Sequence, residues 1–88
     1  MKTSIKGKAV YYMILAGLEE TPLQRFEIIR LCPAVEPHTI DDALRTMPMQ
    51  GLLQKIPREY LPNQYAGTAE GFAGLDALRV AILERPEA

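Results

Sequence analysis

One cysteine, one histidine and no tryptophan occur among the 88 residues, and each scarcity removes a class of function. A lone Cys32 forms no internal disulfide and no thiolate metal cluster; it reads as a small buried side chain at a helix end. A lone His38 has no partner with which to complete a zinc site, so no metal and no cofactor are expected. The longest uncharged apolar run, Ala9 to Leu18, is far below the roughly 20 residues needed to span a bilayer. Lys2, Lys6 and Lys8 lend that run a signal-peptide look. Glu19 and Glu20, however, follow where a small-residue cleavage site is required, so a cytoplasmic location without a membrane partner is expected. Repeats and low-complexity tracts are missing as well. There is no paired base and nucleophile and no glycine-rich phosphate loop, and Gly67, Gly71 and Gly74 lack a surrounding βαβ unit. An enzyme is therefore not expected.

What is present is an ordinary folding composition, with 48% hydrophobic and 24% charged residues, which argues against disorder. The length fits one domain over residues 1–88, with 1–7 as a flexible arm and 84–88 as a tail. A domain this small is marginal alone, and oligomerisation is a common remedy. The net charge of −1 and the pI near 5.8 count against a nonspecific polyanion binder. Distribution matters more than the total, and the first eight residues carry only basic charge, on Lys2, Lys6 and Lys8.

Hydrophobic periodicity places a first helix from Ser4 or Lys8 to Leu18, burying Val10, Met13, Ile14, Gly17 and Leu18, with Tyr11 and Tyr12 beside them. Thr21-Pro22-Leu23-Gln24 reads as a capping box opening a second helix, with Pro22 at its first position. That helix turns Phe26, Ile29 and Ile28 inward and stops near Cys32, ahead of Pro33. Pro37 opens a third helix with Ile40, Ala43, Leu44 and Met47 on its apolar face, and Pro48 kinks or ends it. Leu52 to Ile56 and Gln64 to Gly67 read as two strands around a loop with prolines at both ends. Thr68 caps a last helix whose stripe of Phe72, Leu75, Leu78 and Ile82 is wide for so small a domain. Part of that stripe is expected to meet a second subunit.

The order helix, helix, turn, helix, strand, wing, strand, helix, together with Gly51-Leu52-Leu53 and Tyr65-x-x-Thr68-x-x-Gly71, resembles the winged helix-turn-helix domain of MarR- and PadR-type bacterial repressors. It is similar also to small winged-helix regulators of phages and mobile elements. The resemblance covers about residues 8 to 83. It implies an α+β, mostly α fold: a three-helix core, a two-stranded β-wing and a C-terminal helix. It further implies that Pro37 to Met47 is a recognition helix entering the major groove of double-stranded DNA. Carried over residue by residue, His38, Thr39, Asp42 and Arg45 fall on that helix, with Arg45 placed to pair with guanine. Lys55 and Arg58 fall on the wing, and Lys6 and Lys8 on a phosphate-binding arm. Phe72, Leu75, Leu78 and Ile82 would form a homodimer interface.

Two acids depart from that pattern. Asp41 and Asp42 put negative charge on the helix that should approach phosphates, and Asp41 stands four residues before Arg45, the favourable order for a helical ion pair. Across Pro37 to Asn63, Arg45, Lys55 and Arg58 face Asp41, Asp42 and Glu59, a balance of three cations and three acids. The first functional reading is a small DNA-binding transcriptional regulator acting as a homodimer. The competing reading is a winged helix that docks on another protein as an assembly factor or inhibitor, without DNA affinity of its own. A third is a module of a replication or segregation complex that touches both.

Overall fold

The computed structural model describes residues 8–83; Lys2 and Lys6, and the expected arm and tail, lie outside them. The order is α1 (Lys8–Gly17), β1 (Leu23–Gln24), α2 (Arg25–Leu31), α3 (Pro37–Met49), β2 (Leu53–Ile56), β3 (Gln64–Gly67) and α4 (Ala69–Leu83). The helices surround a core of Val10, Ile14, Leu15, Leu18, Ile28, Cys32, Val35, Ile40, Ala43, Leu44, Met47, Leu53 and Leu75. α1 lies at the centre and packs on α2, α3 and α4. That central position explains why its buried set includes Leu15, outside the expected stripe, while Met13 and Gly17 are only half-buried.

The start of α2 differs from expectation. Thr21 does not cap a helix; its hydroxyl donates to the Pro22 carbonyl at 3.4 Å. Leu23 and Gln24 instead form a short strand on the edge of β3, pairing Leu23 with Tyr65 and Gln24 with Gln64. The sheet therefore has three strands in the order β1-β3-β2 rather than two, and β1 covers an edge of β3 that would otherwise expose unpaired amides. The helix begins after Gln24, whose backbone N–H donates to the Glu27 carboxylate at 2.8 Å. That bond satisfies a group the first turn cannot. Of this seven-residue helix Ile28 is buried, as is Cys32 just past its end, and Ile29 packs against the core from a partly buried position. Phe26 is left outside at 49% exposure, with the Arg30 guanidinium 5.4 Å from its ring centroid.

α3 follows its sequence closely. Pro37 stands in the first turn and Ile40, Ala43, Leu44 and Met47 are its buried residues. Pro48 cannot donate to the Leu44 carbonyl, and the helix ends one residue later. Its terminus is a Schellman turn: Gly51 donates to the Pro48 carbonyl at 3.2 Å and Leu52 to the Met47 carbonyl at 3.0 Å. Gly51 sits at φ 78°, a left-handed value that costs other residues more than glycine.

The turn delivers the chain into β2, which pairs antiparallel with β3 from Leu53↔Gly67 to Ile56↔Gln64. Thr68 then joins three elements. Its backbone N–H donates to the Leu52 carbonyl at 3.3 Å, and its hydroxyl donates to the Gly51 carbonyl at 2.6 Å. The same oxygen accepts the Gly71 N–H at 3.0 Å, capping α4. Gly71 is buried, and a Cβ there would stand 2.4 Å from the Leu52 carbonyl oxygen and 3.0 Å from a Leu15 methyl. Thr-x-x-Gly thus marks the point where α4 presses onto the backbone ahead of β2.

Along α4 the expected stripe divides. Leu75 belongs to the chain's own core, 4% exposed, and Phe72 packs against that core from a partly buried position. Leu78 is half-buried, and Val80, Ile82 and Leu83 are exposed. Arg79 on this helix makes two hydrogen bonds, of 2.7 and 2.8 Å, to the Glu19 carboxylate beyond α1.

Gly71→Ala is expected to cost about 1–3 kcal/mol, because a backbone carbonyl rather than a flexible side chain opposes the new methyl. Gly51→Ala should cost toward the lower end of that range, about 1–2 kcal/mol from its left-handed φ, since its new methyl meets only the movable Glu70 carboxylate. Urea denaturation of both variants checks the order. The hydrogen-bonded Arg79 guanidinium holds the Glu19 carboxyl below its ordinary pKa. The stabilisation from this pair is complete above the ordinary glutamate value, near pH 4.3, and is lost as pH falls through the lowered value. Melting temperatures from pH 7 to pH 2 should therefore fall less steeply on the acid side for Glu19→Gln than for the native chain.

Candidate nucleic-acid interface

Burying Ile40, Ala43, Leu44 and Met47 turns His38, Asp42, Arg45 and Met49 outward, all exposed, with Asp41 half-buried. β2 and β3 stand beside this face. An open groove of about 300 Å³ between α3 and the wing is lined by Asp41, Leu44, Arg45, Pro48, Lys55 and Tyr65. Arg45 from the helix and Lys55 from the strand therefore border one depression. Tyr65 is the cross-strand partner of Lys55. On the opposite flank of α3, a second groove of about 360 Å³ is lined in part by Tyr11, His38, Thr39, Asp42 and Thr46. There the Tyr11 hydroxyl lies 2.9 Å from Thr46 Oγ1, a hydrogen bond tying α3 to α1.

The charges on this face are paired, but not as the spacing suggested. Asp41 does not bond Arg45. It is held by Arg25, the first residue of α2, through two parallel hydrogen bonds, the Nη2 to Oδ2 member being 2.9 Å. This is the planar fork that guanidinium and carboxylate favour. The hydrogen-bonded Arg25 guanidinium holds the Asp41 carboxyl below its ordinary pKa. Arg45 turns the other way and gives one hydrogen bond, Nη2 to Asp42 Oδ1 at 3.1 Å. Both members of that pair are about two-thirds exposed, at 70% and 66%. His38 Nδ1 lies 3.2 Å from a Glu36 carboxylate oxygen, close to the N-terminus of α3.

The wing residues differ in their freedom. Lys55 is exposed on β2. Arg58 braces the loop: its Nε donates to the Pro62 carbonyl at 2.9 Å and its backbone N–H to Asn63 Oδ1 at 3.4 Å. Its Nη2 is buried without a partner. With the loop held at both ends, Tyr60 stands out at 89% exposure, with Leu61 beside it. Lys8 is exposed at the start of α1 and borders a recess of about 220 Å³ with Tyr12, Gln50, Leu52 and Gly71.

The structure thus brings Arg45 and Lys55 to one groove, His38, Thr39 and Asp42 to another, and puts Arg58 to work inside the loop. Arg25 was missed by sequence reasoning. It lies sixteen residues before Asp41, a separation to which no helical or strand period assigns contact. Among the described residues no group of His, Cys, Asp and Glu is placed to hold a metal ion, and no helix is long and apolar enough to cross a membrane.

No protein-family model matches the chain, and no curated protein does so. Solved structures match its fold. A PadR family transcription regulator from Clostridium difficile superposes with a TM-score of 0.73 at 20% identity, over 81% of this chain and 83% of that one. A single-residue variant of Lactococcus lactis ZitR gives 0.71 at 15% identity, over 91% of this chain and 56% of that one. Bacillus subtilis PadR in complex with operator DNA gives 0.71 at 16% identity, over 92% of this chain. This chain spans half, 50%, of that PadR's length. At these identities the likeness is one of fold: the chain is a winged helix of the kind found in PadR-family transcription regulators.

Proposed function

We propose that this chain is a small DNA-binding transcription regulator, with α3 entering the major groove and the wing lying on the adjacent backbone or minor groove. The observation that carries the reading is the two-sided build of α3. One side is locked into the core, while the other presents Arg45 across an open groove from Lys55. A helix held in this way can deliver a guanidinium to base edges while a neighbouring cation contacts phosphate. His38 and Thr39, in the first turn, contribute further contacts to bases or phosphates, and Lys8 contributes one to the backbone. The fold likeness to a PadR that holds operator DNA supports this use of the surface.

Two copies would set two such helices in successive major grooves of a pseudo-palindromic site. Half-buried Leu78 and exposed Ile82 are what the stripe leaves for that pairing, with Phe72 bordering it. Repression follows if the site overlaps a promoter. The competing reading, docking on another protein, draws on the paired charges of α3 and on the exposed Tyr60 and Leu61 at the wing tip.

A salt titration of binding to random duplex DNA, followed by selection from a random pool, separates the two. A DNA regulator shows log affinity falling linearly with log salt and enriches an inverted repeat. A protein-docking module shows neither. Arg45→Ala is expected to weaken the selected site by about 1–3 kcal/mol and to relax preference at one base pair. Unchanged affinity and unchanged preference would remove α3 as the reading element.

A further inference from the structure

Arg45 has two acids within reach along its own helix. Asp41 is four residues before it and Asp42 three, both spacings at which opposite charges pair along a helix. Yet among the described residues Arg45 bonds Asp42 alone, through one exposed contact of 3.1 Å. Asp41 is occupied by a residue of another helix, Arg25, in a two-bond fork. Resting on the DNA-binding reading above, we propose that Arg25 is a positioning residue for recognition. By holding Asp41, it leaves Arg45 on a single weak tether from which a base can take it.

The chemistry is an exchange of partners. Before binding, Arg45 shares one N–H with Asp42 and leaves its remaining donors open to solvent. To grip guanine it must present two parallel N–H groups to O6 and N7. One exposed hydrogen bond is easily traded for that pair. A guanidinium clamped between Asp41 and Asp42 would have to give up both carboxylates and leave two negative charges facing phosphates. The groups facing Arg45 across the groove are Lys55 and Tyr65. Neither is an acid, so Asp41 is the one competitor that Arg25 needs to silence on that side. The Arg25–Asp41 pair also joins α2 to α3, and the test must separate this mechanical role from the electrostatic one.

The experiment measures binding of the full chain to its selected site and to random duplex DNA at about 50 mM salt. The variants are Arg25→Gln, Asp41→Asn, the Arg25→Gln/Asp41→Asn double, and each in an Arg45→Ala background. A plain change of net charge moves both affinities together, so the readout is their ratio. Arg25→Gln is expected to lower the ratio about tenfold, within the range a lost bidentate base contact allows. The double variant should recover it to within about threefold, because the released acid is gone. In the Arg45→Ala background, Arg25→Gln should leave the ratio unchanged. Equal losses on both DNAs would make Arg25 an ordinary phosphate contact and overturn the inference. So would a double variant as impaired as Arg25→Gln alone, the mark of a mechanical role. Should Arg25→Gln fail to fold by circular dichroism, Arg25→Lys takes its place. Lysine keeps the charge but loses the fork, and a partial fall of the ratio, again rescued by Asp41→Asn, is then expected. If the native chain binds no duplex at this salt, the DNA reading falls and this inference with it. If it binds and Arg25→Gln discriminates as well as the native chain, this inference alone falls.

Discussion

The Leu52 carbonyl accepts the Thr68 N–H at 3.3 Å, and the backbone of Gly71 lies so near that carbonyl that no side chain fits between them. Around this crossing the C-terminus of α3, the start of β2 and the N-terminus of α4 are joined within a few residues. The Schellman turn at Gly51 sets the direction in which the chain leaves α3, and so sets where β2 begins. Thr68 ties the end of β3 back to the same turn through the Gly51 carbonyl and starts α4 with the same oxygen. The wing cannot swing relative to α3 without breaking these bonds. The groove that Arg45 and Lys55 share is therefore framed by elements tied together at the base of the wing.

The two ends of that crossing were legible in the sequence, Gly51 as a helix end and Thr68 as a cap, but the contact between them was not. Gly51 follows a helix interrupted by Pro48, and Thr68 precedes Gly71 by the three residues a cap requires. The four buried residues of α3 were equally plain from their period, since α3 packs along one side only. α1 was read less completely. A helix surrounded by three others buries more than one stripe, and Leu15 carries no mark of that in its local spacing. The start of α2 was misplaced for a related reason. Thr21-Pro22 is a good helix-opening signal on local grounds, but the open edge of β3 draws Leu23 and Gln24 into a strand, and a partner distant in the chain outweighs a local preference. Cys32 as a small buried residue at a helix end was read directly.

The site divides in the same way. The candidate residues on α3 and the wing came from the family resemblance, and their side-chain partners came from neither the resemblance nor the spacing. Local spacing offered Asp41 to Arg45, and tertiary packing gave it to Arg25. Arg58 looked like a free wing cation and is engaged within its own loop, because prolines at residues 57 and 62 hold the carbonyl of Pro62 within reach of its guanidinium. The last helix looked uniformly apolar along Phe72, Leu75, Leu78 and Ile82, and only packing shows that Leu75 is spent on the chain's own core while Ile82 remains outside.

The paired charges on α3 also bear on how a chain of net charge −1 could address a polyanion. Nonspecific affinity scales with the number of phosphates neutralised, and cations already paired with carboxylates on the same surface neutralise few. An exposed ion pair is worth about 0.2–1 kcal/mol, and a phosphate contact would exchange one such charge pair for another. A bidentate guanine contact discriminates by about 1–3 kcal/mol. Between these magnitudes, a singly tethered Arg45 gains little by leaving Asp42 for a phosphate and more by leaving it for the right base. Acidic residues on a reading helix therefore do not argue against DNA as such. Under the proposed function they would lower the background against which a correct site is measured, and a near-neutral face would read sequence at the expense of general affinity. A small regulator of this kind would depend on two copies acting together, since the affinity withheld by each helix is recovered when two half-sites are engaged at once.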